Sequence, residues 1–174
     1  MEKGIFLDRD GVINEVLSHR VKFVNKPQEF HLLNGVGEAI RQLNEKELPV
    51  FVVTNQGGVG LGYMKETALN TIHRKMEQDL ARFGAKVDDI AYCPHKPKAG
   101  CRCRKPEAQM LIDLAEKHDI SLPDSIMVGD REPDIAAGKK AGCKTVFIGN
   151  PEENPGADAV FPDLLSAVPW LIGQ

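Results

Sequence analysis

The sequence predicts an α/β fold: a Rossmann-like, three-layer α/β/α arrangement around a mainly parallel sheet. Short β-branched runs recur along the whole chain, amphipathic stretches separate them, and residues of unusual chemistry sit where the runs end. The first run, Gly4-Ile5-Phe6-Leu7-Asp8, is apolar at consecutive positions, as suits a strand buried on both faces. Asn14 to Asn34 has weak periodicity and is expected to form a loop or hairpin overhanging the strand ends. From Gly35 to Glu47, Val36, Ala39, Ile40 and Leu43 share one helical face. Val50-Phe51-Val52-Val53-Thr54 reads as the second strand and Lys65 to Phe83 as the second helix. Ile90-Ala91-Tyr92, then Pro106 to His118, repeat the pattern. Ser125 to Gly129, Pro133 to Ala141 and Lys144 to Ile148 follow as strand, helix and strand. Pro106 and Pro133 stand where a first helical turn tolerates a missing N–H. Gly149 to Asp158, rich in Pro, Asn and Gly, is expected to be a surface loop before a last strand at Ala159-Val160-Phe161. Such alternation implies right-handed βαβ units, with ligands bound outside the carboxyl ends of the strands. Asp8, Thr54, Cys93 and Asp130 each end or follow a predicted strand.

A length of 174 residues fits one domain, residues 1–174, able to bury a core without staples. Hydrophobic content of 42% and charged content of 27% exclude the compositions of disordered, collagen-like and coiled-coil chains. The longest uncharged stretch, Leu48 to Met64, is interrupted by Pro49, by Thr54-Asn55-Gln56 and by four glycines, so no membrane partner is expected. The first residues read as no signal peptide, and a cytoplasmic location is the expectation. A net charge of -3 argues against a protein that coats nucleic acid or anionic lipid.

Four constellations could carry chemistry. In Asp8-Arg9-Asp10-Gly11, two carboxylates two residues apart in extended backbone point the same way and could share a hard divalent cation, against the alternative of an acidic turn. In Gly129-Asp130-Arg131-Glu132-Pro133-Asp134, Asp130 is the better placed ligand, while helix N-capping suits one of Glu132 and Asp134. Thr54-Asn55-Gln56-Gly57-Gly58 could cradle an anion, although no glycine placement satisfies the dinucleotide fingerprint. Cys93-Pro94-His95 and Cys101-Arg102-Cys103 supply three thiolates and an imidazole, a closed structural Zn²⁺ set in the loop 93–103. Cys143 stands apart and is expected to be a small buried hydrophobe. His19, His31, His73 and His118 show no partner pattern and are expected at the surface. Arg104 and Lys105, beside the cysteines, could be held rigidly against a phosphate.

Asp8-x-Asp10, Thr54, Lys105 and Gly129-Asp130-x-x-x-Asp134, in this order and each after a predicted strand, resemble the four motifs of the haloacid dehalogenase (HAD) superfamily over almost the whole chain. The cysteine loop and Cys103-Arg104-Lys105-Pro106 narrow the resemblance to its capless zinc-loop phosphatases. That branch holds heptose-bisphosphate 7-phosphatases and, as near relatives, histidinol-phosphate phosphatases. The resemblance implies Mg²⁺ held by Asp8, the backbone carbonyl of Asp10 and Asp130, and structural Zn²⁺ held by Cys93, His95, Cys101 and Cys103. It implies Asp8 as nucleophile forming an aspartyl phosphate, Asp10 as acid and base, and Thr54 and Lys105 on the phosphoryl oxygens. Asp134 would orient Lys105 or the metal shell, and Asn55, Gln56, Arg104 and Arg131 would face the substrate. The implied substrate is a small phosphorylated sugar, a heptose 1,7-bisphosphate serving glycan-precursor synthesis, hydrolysed by a monomer. Histidinol phosphate is the alternative substrate, and a zinc-loop binding module is the rival of another class. Lys22-Phe23-Val24, where the family shows Gly-Tyr-Val, and Arg131, where its heptose members show Lys, leave substrate and anomer open.

Overall fold

In the computed structural model, which describes residues 1–174, six strands form one sheet: β1 (Ile5–Leu7), β2 (Val50–Asn55), β3 (Asp89–Cys93), β4 (Ile126–Gly129), β5 (Lys144–Ile148) and β6 (Ala159–Phe161). Their order is β3-β2-β1-β4-β5-β6, and every pairing is parallel, so the sheet expected to be mainly parallel is wholly so. Five helices connect and follow the strands: α1 (Val36–Glu45), α2 (Glu66–Ala81), α3 (Gln109–His118), α4 (Glu132–Ala141) and α5 (Leu164–Gly173).

Successive side chains on a strand point to opposite faces, so continuous apolar runs build two cores at once. Ile5, Leu7, Val50, Val52, Ile126 and Val128 pack with α1, α2 and α5. Phe6, Phe51, Val53 and Met127, from the alternate positions, pack with α3 and α4. The chain steps outward from β1 to β3 over the first face and returns through β4 to β5 over the second, as crossovers of one hand require. The direction reverses beside β1, which leaves a crevice at the carboxyl ends of β1 and β4.

Two elements depart from the sequence reading. Helix α3 starts at Gln109 rather than Pro106, whose bond to Lys105 is cis. There the Asn55 side chain holds Lys105 from both sides, donating to its carbonyl at 3.1 Å and accepting from its N–H at 2.9 Å, so the chain is still a loop. Helix α5 was not foreseen, because Pro169 lies inside it. Burial of Leu164, Ala167, Val168 and Leu171, an Asp163 cap that accepts from the Ser166 N–H at 2.8 Å, and Lys3 Nζ bonding the carbonyls of Leu171 and Gln174 offset the missing donor. The overhanging 14–34 segment is a loop rooted by an antiparallel bridge between Asn14 and Leu32, with Phe30 fully buried beneath it.

Helix α4 lies so close to the sheet that a Cβ on Gly138 would stand 2.7 Å from Met127 Cβ and 2.8 Å from Thr145 Cγ2. Gly138→Ala gains about 1 kcal/mol of helix propensity but forces overpacking that costs about 1–3 kcal/mol. Urea unfolding should therefore show the variant less stable than the parent; a gain in stability would refute this close approach.

Candidate active site

The floor of the crevice is organised by one buried cation. Lys105 Nζ donates to Asp8 Oδ1 at 2.8 Å, to Asp134 Oδ1 at 2.6 Å and to the Val53 carbonyl at 2.8 Å, which uses all three of its N–H bonds. Burial alone would lower the Lys105 pKa, but the charges of Asp8 and Asp134 outweigh it and hold the ammonium well above its ordinary range. Asp134 uses its other oxygen at the start of α4, accepting from the backbone N–H groups of Asp130 at 3.2 Å and Arg131 at 3.1 Å. It therefore does both jobs weighed for it, capping the helix and aiming the lysine.

Asp10 is held differently. Its carboxylate does not turn toward Asp8 as an extended Asp-x-Asp would; the carboxylates gathered within 4.8 Å are Asp8, Asp130 and Asp134. The chain folds over directly after Arg9, whose carbonyl accepts from the N–H groups of Val12, Ile13 and Asn14. Asp10 Oδ1 accepts from Arg9 Nη2 at 2.8 Å, Arg9 Nε at 3.1 Å and Asn14 Nδ2 at 3.1 Å. Its Oδ2 accepts from Gln56 Nε2 at 3.2 Å. Burial would raise the Asp10 pKa, yet the Arg9 charge and these hydrogen bonds bring it below the usual carboxylate value.

Arg9 is fully buried, and its Nη1 lies 3.1 Å from Nε2 of His73 on α2. His73 was expected at the surface and is instead buried, with its ring 6.0 Å from that of Tyr92. Gln56 also departs from expectation: it is buried, its amide bonding Asp10 and the Thr54 hydroxyl at 2.8 Å, and so it cannot face a ligand from that position. Sequence reasoning missed Arg9, Asn14 and His73. The first is the spacer of an acidic pair, although an arginine two positions after an apolar strand is itself a signal.

Asp130, at the end of β4, completes the acidic group. Burial first, then the nearby Asp134 charge, push its carboxyl up to about 6, and burial and Asp134 raise Asp8 as well. Asp130 Oδ1 is buried without a hydrogen-bond partner. The carboxylates of Asp8, Asp10, Asp130 and Asp134 meet only two buried cations, Arg9 and Lys105, so two negative charges remain unbalanced. An orphaned carboxylate oxygen and an excess of two charges fit a hard divalent cation. Gly11 has φ +85°, and a Cβ there would lie 1.9 Å from Asp130 Oδ2, so only glycine lets this loop close over the carboxylate.

In the adjoining loop, Cys93, His95, Cys101 and Cys103 bring their ligand atoms within 4.8 Å of one another. Cys93 Sγ lies 3.6 Å from Cys101 Sγ and 2.8 Å from Cys103 Sγ, and His95 Nδ1 lies 3.4 Å and 3.2 Å from Cys93 and Cys103. Three sulfurs and one imidazole nitrogen this close together could hold one metal ion, and as four protein ligands they would complete a tetrahedral set. Cys143 is buried apart from them, as expected of a packing residue.

Above the floor opens a cleft of about 530 Å³, lined by Asp8, Asp10, Lys105 and Asp130, with Arg104 and Arg131 at its side. Asn55 borders it, although its amide is already committed to Lys105. Leu17 and Phe23 from the overhanging loop and residues 97–101 from the cysteine loop form the mouth.

A family model described as HAD-hydrolase-like matches residues 102–167. The D-glycero-beta-D-manno-heptose-1,7-bisphosphate 7-phosphatase of Bordetella bronchiseptica is 42% identical over 141 residues, spanning 81% of this chain and 77% of that protein. The D-glycero-alpha-D-manno-heptose-1,7-bisphosphate 7-phosphatase of Campylobacter jejuni is 36% identical over 154 residues, 88% of this chain and 86% of that protein. The crystal structure of the B. bronchiseptica D,D-heptose 1,7-bisphosphate phosphatase, complexed with magnesium and phosphate, superposes with a TM-score of 0.89 at 37% identity over 98% of both chains.

Burial, followed by the Arg9 charge, lowers the His73 pKa to about 3. Below about 6.5 the unfolded chain takes up a proton there that the folded chain refuses, so stability is fully present above that value and falls as pH drops toward 3, by up to about 1.4 kcal/mol per unit. Denaturant unfolding at pH 7 and pH 5 should show the parent losing more stability than His73→Gln; equal losses would refute the buried neutral imidazole. Gly11→Ala should leave the chain folded by circular dichroism but weaken Mg²⁺ binding about tenfold or more, measured by calorimetry.

Proposed function

The chain belongs to the HAD-like hydrolases of the heptose-bisphosphate phosphatase family, and from that membership we propose that it hydrolyses the 7-phosphate of D-glycero-D-manno-heptose 1,7-bisphosphate through an aspartyl phosphate on Asp8. The observation that carries the reading is the Asp8–Lys105–Asp134 cluster at the cleft floor, with Asp10 beside it on a separate hydrogen-bond network. Lys105 occupies Asp8 Oδ1, so Oδ2 is the attacking oxygen. It forms a bond to phosphorus as the bond to the sugar oxygen breaks, and Asp10, having taken up the proton that a phosphate monoester monoanion brings into the site, gives it to the departing alkoxide. Asp10 then takes a proton from water, which attacks the same phosphorus and returns free Asp8 and inorganic phosphate. The reading assigns the transferring oxygens to Lys105 at the cleft floor and to the Thr54 hydroxyl, which is buried and bonded by Gln56, and assigns the substrate side to Arg104 and Arg131.

A divalent cation, Mg²⁺ by this reading, held by Asp8, the Asp10 carbonyl and Asp130 would supply the charge that lets a carboxylate meet a phosphate dianion. Zn²⁺ held by Cys93, His95, Cys101 and Cys103 would fix the loop bearing Arg104 and Lys105. The relatives named above are heptose-bisphosphate phosphatases, which sets the histidinol-phosphate alternative aside. Residues 1–174 would act as one catalytic domain, as a monomer. No helix is long and apolar enough to cross a membrane, and four cysteines with no disulfide among them suit the reducing cytoplasm. Neither a membrane nor a nucleic acid is part of this reading.

Asp8→Asn should keep the fold and lower phosphate release by at least about 10³-fold; near-parental turnover would overturn the nucleophile assignment. Assayed with Mg²⁺, the parent should prefer one heptose 1,7-bisphosphate anomer over histidinol phosphate in kcat/KM, and the reverse order would overturn the substrate assignment. Elemental analysis should find one zinc per chain, with Cys101→Ser losing it and about 10–100-fold of activity; an equally active, zinc-free parent would refute the metal loop.

A further inference from the structure

The Arg9–His73 pair is unusual in its cost and in its target. A fully buried guanidinium is expensive unless its donors are used, and here they go to one carboxylate oxygen and one imidazole nitrogen. The contacts on Asp10 are uneven. Its Oδ1 takes three donors, two from Arg9 and one from Asn14, while Oδ2 takes a single amide from Gln56, and the residue borders the cleft. Both guanidinium contacts converge on the same oxygen, which is not the parallel fork that would engage both. The arrangement fixes the carboxylate rotation and leaves Oδ2 as the oxygen able to exchange a proton. Arg9 itself cannot turn, because Nη1 is fastened to His73, which must keep the Nε2 lone pair to accept that N–H. His73 comes from α2, an element with no residue on the cleft, and it is backed by Tyr92, whose hydroxyl donates to Glu66 Oε2 at 3.1 Å.

We propose that Arg9 and His73 are positioning residues for proton transfer: His73 anchors the Arg9 guanidinium, which holds Asp10 with Oδ2 aimed at the leaving-group oxygen. The proposal rests on the acid role of Asp10 given above. Neither residue touches the substrate, so their effect passes through Asp10 and scales with how much the leaving group needs a proton. An alkoxide needs one; p-nitrophenolate leaves without it.

The test compares kcat/KM for heptose 1,7-bisphosphate with kcat/KM for p-nitrophenyl phosphate, both with Mg²⁺, in the parent, Asp10→Asn, His73→Leu, His73→Gln and Arg9→Lys. The ratio of the two constants reports the transfer to Asp8 and does not depend on how much of a preparation is folded. His73→Leu and Arg9→Lys should lower this ratio at least tenfold, in the same direction as Asp10→Asn. His73→Gln, which offers Arg9 a carbonyl oxygen, should restore the ratio to within threefold of the parent. Equal losses on both substrates, a ratio unchanged in His73→Leu and Arg9→Lys, or a His73→Gln no better than His73→Leu would overturn the proposal. If Asp10→Asn alone shifts the ratio, the acid role stands and the positioning pair falls. If Asp10→Asn leaves the ratio unchanged, the acid role falls, and the pair with it.

Discussion

Everything at the strand ends depends on where Lys105 puts its ammonium. One nitrogen joins the residue that follows β1, the β2 backbone and the first turn of α4, three parts of the chain far apart in sequence. The site would otherwise be a group of like charges that water reaches only from the cleft side. Coulomb repulsion between carboxylates at such distances amounts to several kcal/mol even at the effective dielectric of a protein surface. A lysine shared between two of them turns that repulsion into cohesion. The remaining excess of negative charge is then small and defined, which is the condition a single divalent cation can meet.

The lysine arrives at this point because the loop that carries it is restrained twice. Asn55 grips its backbone on one side, and the cysteine cluster gathers the preceding residues on the other. Cationic arginines stand at the same cleft wall, so one short segment brings positive charge both to the cleft and to the Asp8 carboxylate. A basic zinc loop acting as an independent binding module would have no reason to aim its charges at a pocket of carboxylates.

The inner strands, their alternation with helices and the residues at their ends were legible in the sequence because each is a local pattern: apolar runs of the right length, or a charged residue directly after one. The cysteine loop was legible because its four ligands lie within eleven residues, from Cys93 to Cys103. What could not be read depends on long-range pairing. His73 looked like a surface histidine because its partner, Arg9, lies 64 positions away. Gln56 stood beside Thr54 in a glycine-rich segment and was expected to face the ligand; only the fold turns its amide under Asp10. Helix α5 was hidden by Pro169, whose local cost is outweighed by a core that no local pattern reveals. Pro106 suited a helix start by propensity, but tertiary bonds to Lys105 kept it in the loop.

The strand order also dictates when the enzyme can come into being. The first strand to leave the ribosome is the central one, and one of its two neighbours is β4, made of residues 126–129. Until that segment has emerged, β1 carries an unpaired edge, and Asp8 beside it has no Asp130 or Asp134 for company. Pairings at such separation are slow to close and leave the nascent chain open to sticking to others of its kind. Catalytic competence is thus a property of the nearly finished polypeptide: a fragment ending before α4 would carry Asp8 and Lys105 without the Asp134 carboxylate that anchors the lysine.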